Sequence, residues 1–334
     1  MPIPRFALSL PALLLAAGLS VMLAAAPAPA QAEPAQDLRL ESIVPTDVFA
    51  FASFAGIDAC SQAARQLGLY TLWQEQEVQD FIKGLMEEYE AAVAEAPPEA
   101  LAQWNQAKQL LSGRLSVAVA GLTYFWGRDG RDVFPVPFPG LVVALDTRGH
   151  RAEVEGVLES FLGGESGKRL LQREQIERSD EIYKGHEIIV LTFTGRRSAQ
   201  LSLAATFIDN LFVYGLNRTL LKRCIDNHLA GSEQTLANLP SFCRARSKVQ
   251  GEPLFEIFVN YAEVTRRVKG LVPDEWLEAL HELGLDSLNG EYMASTVRDG
   301  ASFDTIYLDM PGERRGLAAI PTPPIGDDVL KLVP

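Results

Sequence analysis

The segment Tyr292–Arg298, Asp299-Gly300, Ala301–Asp309 constrains the fold more than any other stretch of this chain. Two strand-like runs flank an Asp-Gly pair. Asp-Gly favours a two-residue turn whose twist matches that of antiparallel strands. A chain built round such a hairpin needs a largely antiparallel sheet.

The rest of the chain repeats the theme. Asp47–Ala55 alternates Val48 and aromatics with small residues, as a half-buried strand does. Arg114–Phe125 and Val136–Asp146 read as strands joined by Trp126–Pro135, with Asp129-Gly130 as the turn. Residues 167–215 read as a strand meander containing Ile188–Thr194, Gln200–Ile208 and Leu211–Gly215, with Asp209-Asn210 as a tight turn. Leu254–Asn260 is a further strand.

Helices are expected at Gly56–Leu67, Glu75–Glu95, from Pro98 to near Gly113, at His150–Leu162, from the Asn217 cap to Leu229, at Ser241–Val249, Tyr261–Lys269 and Asp274–Leu283. In Glu75–Glu95 the residues Val78, Phe81, Ile82, Leu85, Tyr89, Ala92 and Val93 share one face. Strands and helices segregate rather than alternate. The expected class is therefore α+β, a largely antiparallel sheet with helices packed on one face. Residues 47–146 and 254–309 share the order strand, helices, hairpin, so an internal duplication is expected.

The first 32 residues read as an export signal. Arg5 is their only charge, Phe6–Ala26 is apolar, and Ala30-Gln31-Ala32 offers a small-residue cleavage site before Glu33. Pro11 breaks the apolar run, which favours cleavage over a retained anchor. No later segment reads as membrane-spanning. The expected organisation is a signal peptide over 1–32, an N-terminal α+β lobe with the meander over 33–250, a strand-helix-helix-hairpin unit over 251–310, and a Pro/Gly-rich tail or linker over 311–334. The last six residues, Val329–Pro334, match the Leu40–Pro45 pattern that leads into the first strand. Either a second unit follows beyond Pro334 or the match is a coincidence in a frayed tail.

Removing Arg5 with the signal takes the net charge from −13 to −14. An acidic surface of that size disfavours nucleic acid and anionic membranes as partners. The three cysteines, Cys60, Cys224 and Cys243, leave an odd thiol even in an oxidising compartment.

Motifs mostly exclude. Gly163–Arg169 (GGESGKR) resembles a phosphate loop, but its glycine spacing is short, Arg169 stands where Ser or Thr would hold magnesium, and no helix N-terminus is expected behind it; it reads as a flexible loop. His281-Glu282 lacks the second histidine of a zinc-protease helix. Cys224 and His228 lie four apart on one helix with Cys243 further along, which leaves three readings: a zinc site, a Cys224–Cys243 disulfide, or plain packing of Leu221, Cys224, Ile225 and His228 as a buried stripe. Asn217-Arg218-Thr219 is a glycosylation sequon and also a helix cap. Tyr124, Phe125, Trp126, Phe134, Val136 and Phe138 read as an exposed apolar patch or as rings packed under their own loop. Asp129, Asp132, Asp327 and Asp328 do not have calcium-loop spacing. No catalytic, cofactor-binding or metal-binding residue is assigned.

Three phrases resemble a known family: Ile43–Asp47 before an alternating strand, Tyr183–Ile188 ahead of a meander, and Leu211–Leu229 followed by Leu236–Phe242 and the strand Leu254–Asn260. They are similar to the exported bacterial proteins grouped as domain of unknown function 3352. The resemblance implies an exported α+β protein and transfers no activity. Three functional readings follow: a non-catalytic envelope binding or scaffold protein with an unidentified protein or ligand as partner, a carrier of an apolar ligand or lipid, and an exported hydrolase whose site is assembled from dispersed residues such as His186 with nearby carboxylates.

Overall fold

A computed structural model describes residues 38–68, 70, 74–80, 83, 112–129, 132–194, 202–269, 273–312 and 316–319. The expected signal peptide, most of the expected helices over 75–113, the side chains of the aromatic stretch 124–138 and nearly all of the tail lie outside the described residues.

Ten strands form one antiparallel sheet: β1 (Val48–Phe54), β2 (Leu115–Asp129), β3 (Asp132–Asp146), β4 (Ile176–Tyr183), β5 (His186–Phe193), β6 (Ser202–Ile208), β7 (Leu211–Gly215), β8 (Phe255–Val259), β9 (Gly290–Arg298) and β10 (Ala301–Asp309). Their order is β10-β9-β8-β1-β2-β3-β7-β6-β5-β4. The α+β class and the antiparallel sheet hold. The two strand-helix-hairpin stretches stand back to back, with β1 paired to β8 through Phe51↔Phe258.

The helices are α1 (Ile57–Gln66), α2 (Arg151–Gly163), α3 (Glu165–Arg173), α4 (Arg218–Ala230), α5 (Pro240–Arg246), α6 (Tyr261–Val268) and α7 (Asp274–Glu282). They cover both faces of the sheet, where one was expected. Val142, Ala144, Leu211 and Val213 pack with α4 and α5. Their chain neighbours Val143, Leu145, Phe212 and Tyr214 pack with α2 and α3. Successive strand residues point to opposite faces, so a strand buried at every position must be covered twice. All five residues of β7 are buried. Among the described residues no helix is long and apolar enough to cross a membrane.

Two local expectations need correction. Trp126–Pro135 is not a loop: β2 and β3 stay paired out to Asp129↔Asp132. Pro135, Pro137 and Pro139 cannot donate to a ladder. They fall on alternate residues, so they remove donors on one side of β3 only. Gly163–Arg169 is not a loop either, since α3 starts at Glu165. A helix start does lie there, against expectation, but α3 follows the helix α2 with a single residue between them, so the strand and open loop of a phosphate site are missing.

Turn chemistry accounts for the register. Asp299 and Gly300 have φ of 50° and 79°, and Lys184 and Gly185 repeat the pattern at 50° and 87°. A Cβ on Gly300 would meet only the Gln66 carbonyl oxygen at 3.5 Å. Gly300→Val therefore tests the backbone conformation without a Cβ clash. A β-branched residue at positive φ should cost about 1–2 kcal/mol and lower the thermal midpoint by about 2–6 °C. An unchanged midpoint would contradict this register.

Candidate functional site

Among the described residues, a cleft and a smaller pocket combine a cavity with charged side chains. The larger is an open cleft of about 640 Å³ between α2 and the β4–β7 end of the sheet. Leu158, Leu162, Ile189, Ala205, Phe207 and Phe212 give it an apolar floor, an extension of the second core. Its rim holds Glu155, Glu159, Glu187 and Asp209 against Arg151 and Arg178, so acid predominates. Arg151 Nε donates to Glu155 Oε1 at 2.8 Å, and its guanidinium lies 4.6 Å from the Phe207 ring centre. Arg178 donates twice to Asp180, each bond 3.0 Å.

His186 lines the end of this cleft. Its Nδ1 lies 3.0 Å from the Phe207 carbonyl oxygen. Its ring centre is 6.4 Å from that of His228, and His228 Nε2 is 3.3 Å from Asp209 Oδ2. Sequence reasoning missed this meeting because His228 is on α4 and Asp209 is in the β6–β7 turn. Neither imidazole is hydrogen-bonded to a serine, threonine or cysteine side chain among the described residues.

The remaining sequence candidates are dispersed. Cys224 is buried in the first core and Cys243 is exposed; both thiols are free. Burial pushes the Cys224 thiol up to about 12, so it acts as a small apolar group. His228 leaves the Leu221–Cys224–Ile225 stripe to reach Asp209. Asn217 accepts from the Thr219 and Leu220 amides, so the sequon residue serves as the cap of α4. His281 Nδ1 lies 2.6 Å from Asp286 Oδ2. Among the described residues no three His, Cys, Asp or Glu side chains converge as metal ligands.

The second place is a polar network at one rim of the first core, which the sequence did not bring to notice. Glu256 on β8 shares the core face with Phe258 and is 1% exposed. Tyr292 Oη donates to Glu256 Oε2 at 2.5 Å. Arg246 Nε and Arg114 Nη1 approach Glu256 at 3.7 and 3.9 Å. Arg114 also donates to Ser53 Oγ, which meets Ser116 Oγ at 3.0 Å. Glu41, in the 3-10 turn Leu40–Ser42, is buried and its Oε2 has no hydrogen-bond partner among the described residues. A smaller pocket of about 310 Å³, lined by Arg39, Arg114, Arg148 and Glu252, adjoins this network.

Burial, and then the neighbouring Glu256 carboxylate, hold the Glu41 carboxyl above the usual carboxylate range. A raised folded value means that the native state binds the proton more tightly than the unfolded chain. Stability is then greatest at or below the ordinary value and falls as pH rises through the raised one. Glu41→Gln removes that penalty. Its thermal midpoint should overtake that of the unaltered protein by about 2–4 °C toward neutral pH, with the gap closing in acid. A gap that does not change with pH would contradict this account.

Comparison of the chain with protein-family models, curated proteins and solved structures finds no match.

Proposed function

We propose that this is an exported, non-catalytic binding protein whose cleft beneath α2 receives a partner carrying both an apolar group and positive charge. The carrying observation is the pairing of an apolar floor with an acid-rich rim in one open cleft. An apolar floor supplies affinity and a few polar groups supply orientation. The rim acids favour a cationic or neutral partner and disfavour an anionic one. Export rests on residues 1–32, and the kinship with domain of unknown function 3352 rests on the three phrases quoted above.

The hydrolase reading draws on His186, His228 and Asp209, but no serine, threonine or cysteine side chain is bonded to either histidine among the described residues. The lipid-carrier reading draws on the apolar floor, which here is open and rimmed by charge.

Glu155 and Glu159 are exposed, so charge reversal there spares the core. Glu155→Lys/Glu159→Lys should weaken binding of a short fluorescent peptide of alternating lysine and leucine by about tenfold or more. Its thermal midpoint should stay close to that of the unaltered protein. Equal binding by both proteins would reject the cleft as the site.

A further inference from the structure

We infer that Arg39, Arg114 and Arg246 form a second binding subsite, for a phosphoryl-type oxyanion, which the chain's own Glu252 side chain occupies when no ligand is present. This site is beside β8, β1 and β2, in the other half of the sheet from the cleft, and does not depend on the reading given above.

Three guanidinium groups from distant parts of the chain converge on one loop carboxylate. Arg39 Nη1 and Arg114 Nη2 both reach Glu252 Oε1, at 2.7 and 2.6 Å, and Arg246 Nη2 reaches Oε2 at 3.2 Å. Two of these arginines are also held from the core side. Arg114 bonds Ser53, and both Arg114 and Arg246 flank the buried Glu256. The donors that face outward are therefore positioned before any ligand arrives. Glu252 itself is half-exposed on the loop after α5, beside Gly251 at φ 88°. Glu252 is the most exposed member of these pairs, so an outside anion can compete with it for the three guanidiniums.

Geometry favours a tetrahedral anion. A carboxylate has two oxygens, and Oε1 of Glu252 serves two guanidiniums at once. A phosphoryl group presents three terminal oxygens, one for each arginine, and arginine suits such an acceptor. Charge points the same way. Three guanidiniums face Glu252 and Glu256, with Glu41 beside them and its Oε2 unpartnered among the described residues. Swinging Glu252 away takes its carboxylate from all three guanidiniums at once, which suits an incoming phosphate anion. The adjoining pocket adds Gln62, Gln66, Leu254 and Val297, room for a small organic group on the phosphate.

Calorimetric titration of the exported chain with inorganic phosphate, and separately with glycerol 3-phosphate, tests the inference against chloride at matched ionic strength. Glu252→Ala should bind about tenfold more tightly than the unaltered protein, because the competing carboxylate is gone. Arg39→Gln/Arg246→Gln should lose binding while remaining folded by circular dichroism. Tighter binding of the ester assigns the pocket to an organic phosphate, and equal binding assigns the subsite to free phosphate. Failure of Glu252→Ala to bind either probe at millimolar concentration would overturn the inference. Binding that survives in Arg39→Gln/Arg246→Gln would overturn it too.

Discussion

Phe242→Ala is expected to destabilise the protein by about 3–5 kcal/mol, the usual cost of emptying a buried aromatic site. Phe242 is 4% exposed on α5 and meets three rings edge-on: Phe51 at 5.9 Å, Phe258 at 5.3 Å and Tyr292 at 5.9 Å. Those rings belong to β1, β8 and β9, the strands that join the C-terminal part of the sheet to the rest. Each edge-to-face pair adds about 0.5–1.5 kcal/mol beyond the area it buries. The cavity would open at the seam between the two strand-helix-hairpin stretches. Total stabilities are commonly about 5–15 kcal/mol, so urea unfolding should show a midpoint far below that of the unaltered protein. Phe242→Leu, which refills part of the volume, should recover much of the loss. A midpoint unchanged in Phe242→Ala would mean that α5 does not pin this seam.

Tyr292→Phe should cost about 1.5–3 kcal/mol, the range for a hydrogen bond to a charged partner. The ring is kept, so packing against Phe242 survives and only the hydroxyl is lost. That hydroxyl makes the closest contact to the Glu256 carboxylate, at 2.5 Å, while the two flanking guanidinium nitrogens stay at 3.7 and 3.9 Å. Without it a carboxylate that is 1% exposed has no short hydrogen bond from a side chain. Burial, reinforced by the Glu256 charge, pushes the Tyr292 phenol far up, so it remains a donor across ordinary pH. Glu256→Gln/Tyr292→Phe separates the causes. If the cost arises from the unpartnered charge, the double variant loses less than the sum of the two single ones. Strict additivity would contradict the coupling.

How far the fold was legible depended on where the physics was local. The Asp299-Gly300 turn, the Asn217 cap and the continuous apolar run Leu211–Gly215 each carry their own signal, and each appears where it was read. β4 gave almost none. Its sequence IERSDEIY is mostly exposed and charged, as suits a strand at the end of a sheet that must not pair further. The outer ends of β2 and β3 were read as part of the Trp126–Pro135 connection, and α3 was hidden by its glycines. Helices on both faces were foreshadowed by Leu141–Leu145 and Leu211–Tyr214, whose lack of alternation means burial on both sides.

The candidate sites were less legible, because sheet order assembles them. The β1–β8 and β1–β2 pairings bring Glu256 and Arg114 together, and Arg39 and Arg246 reach them from the turn before β1 and from α5. One local clue existed. Glu256 shares strand parity with Phe258, so a charged residue was destined for the core face. His228 was read as part of a buried stripe, and nothing in the linear spacing brought it to Asp209.

The central claim is that the cleft beneath α2 binds a partner with an apolar group and positive charge. Amide chemical-shift mapping of the labelled protein, titrated with the lysine–leucine peptide, tests it most directly. The account predicts saturable shifts concentrated at Glu155, Leu158, Ile189, Ala205 and Phe212, with the β8–β10 end of the sheet unmoved. Shifts centred on β8–β10, or none at saturating peptide, would contradict it.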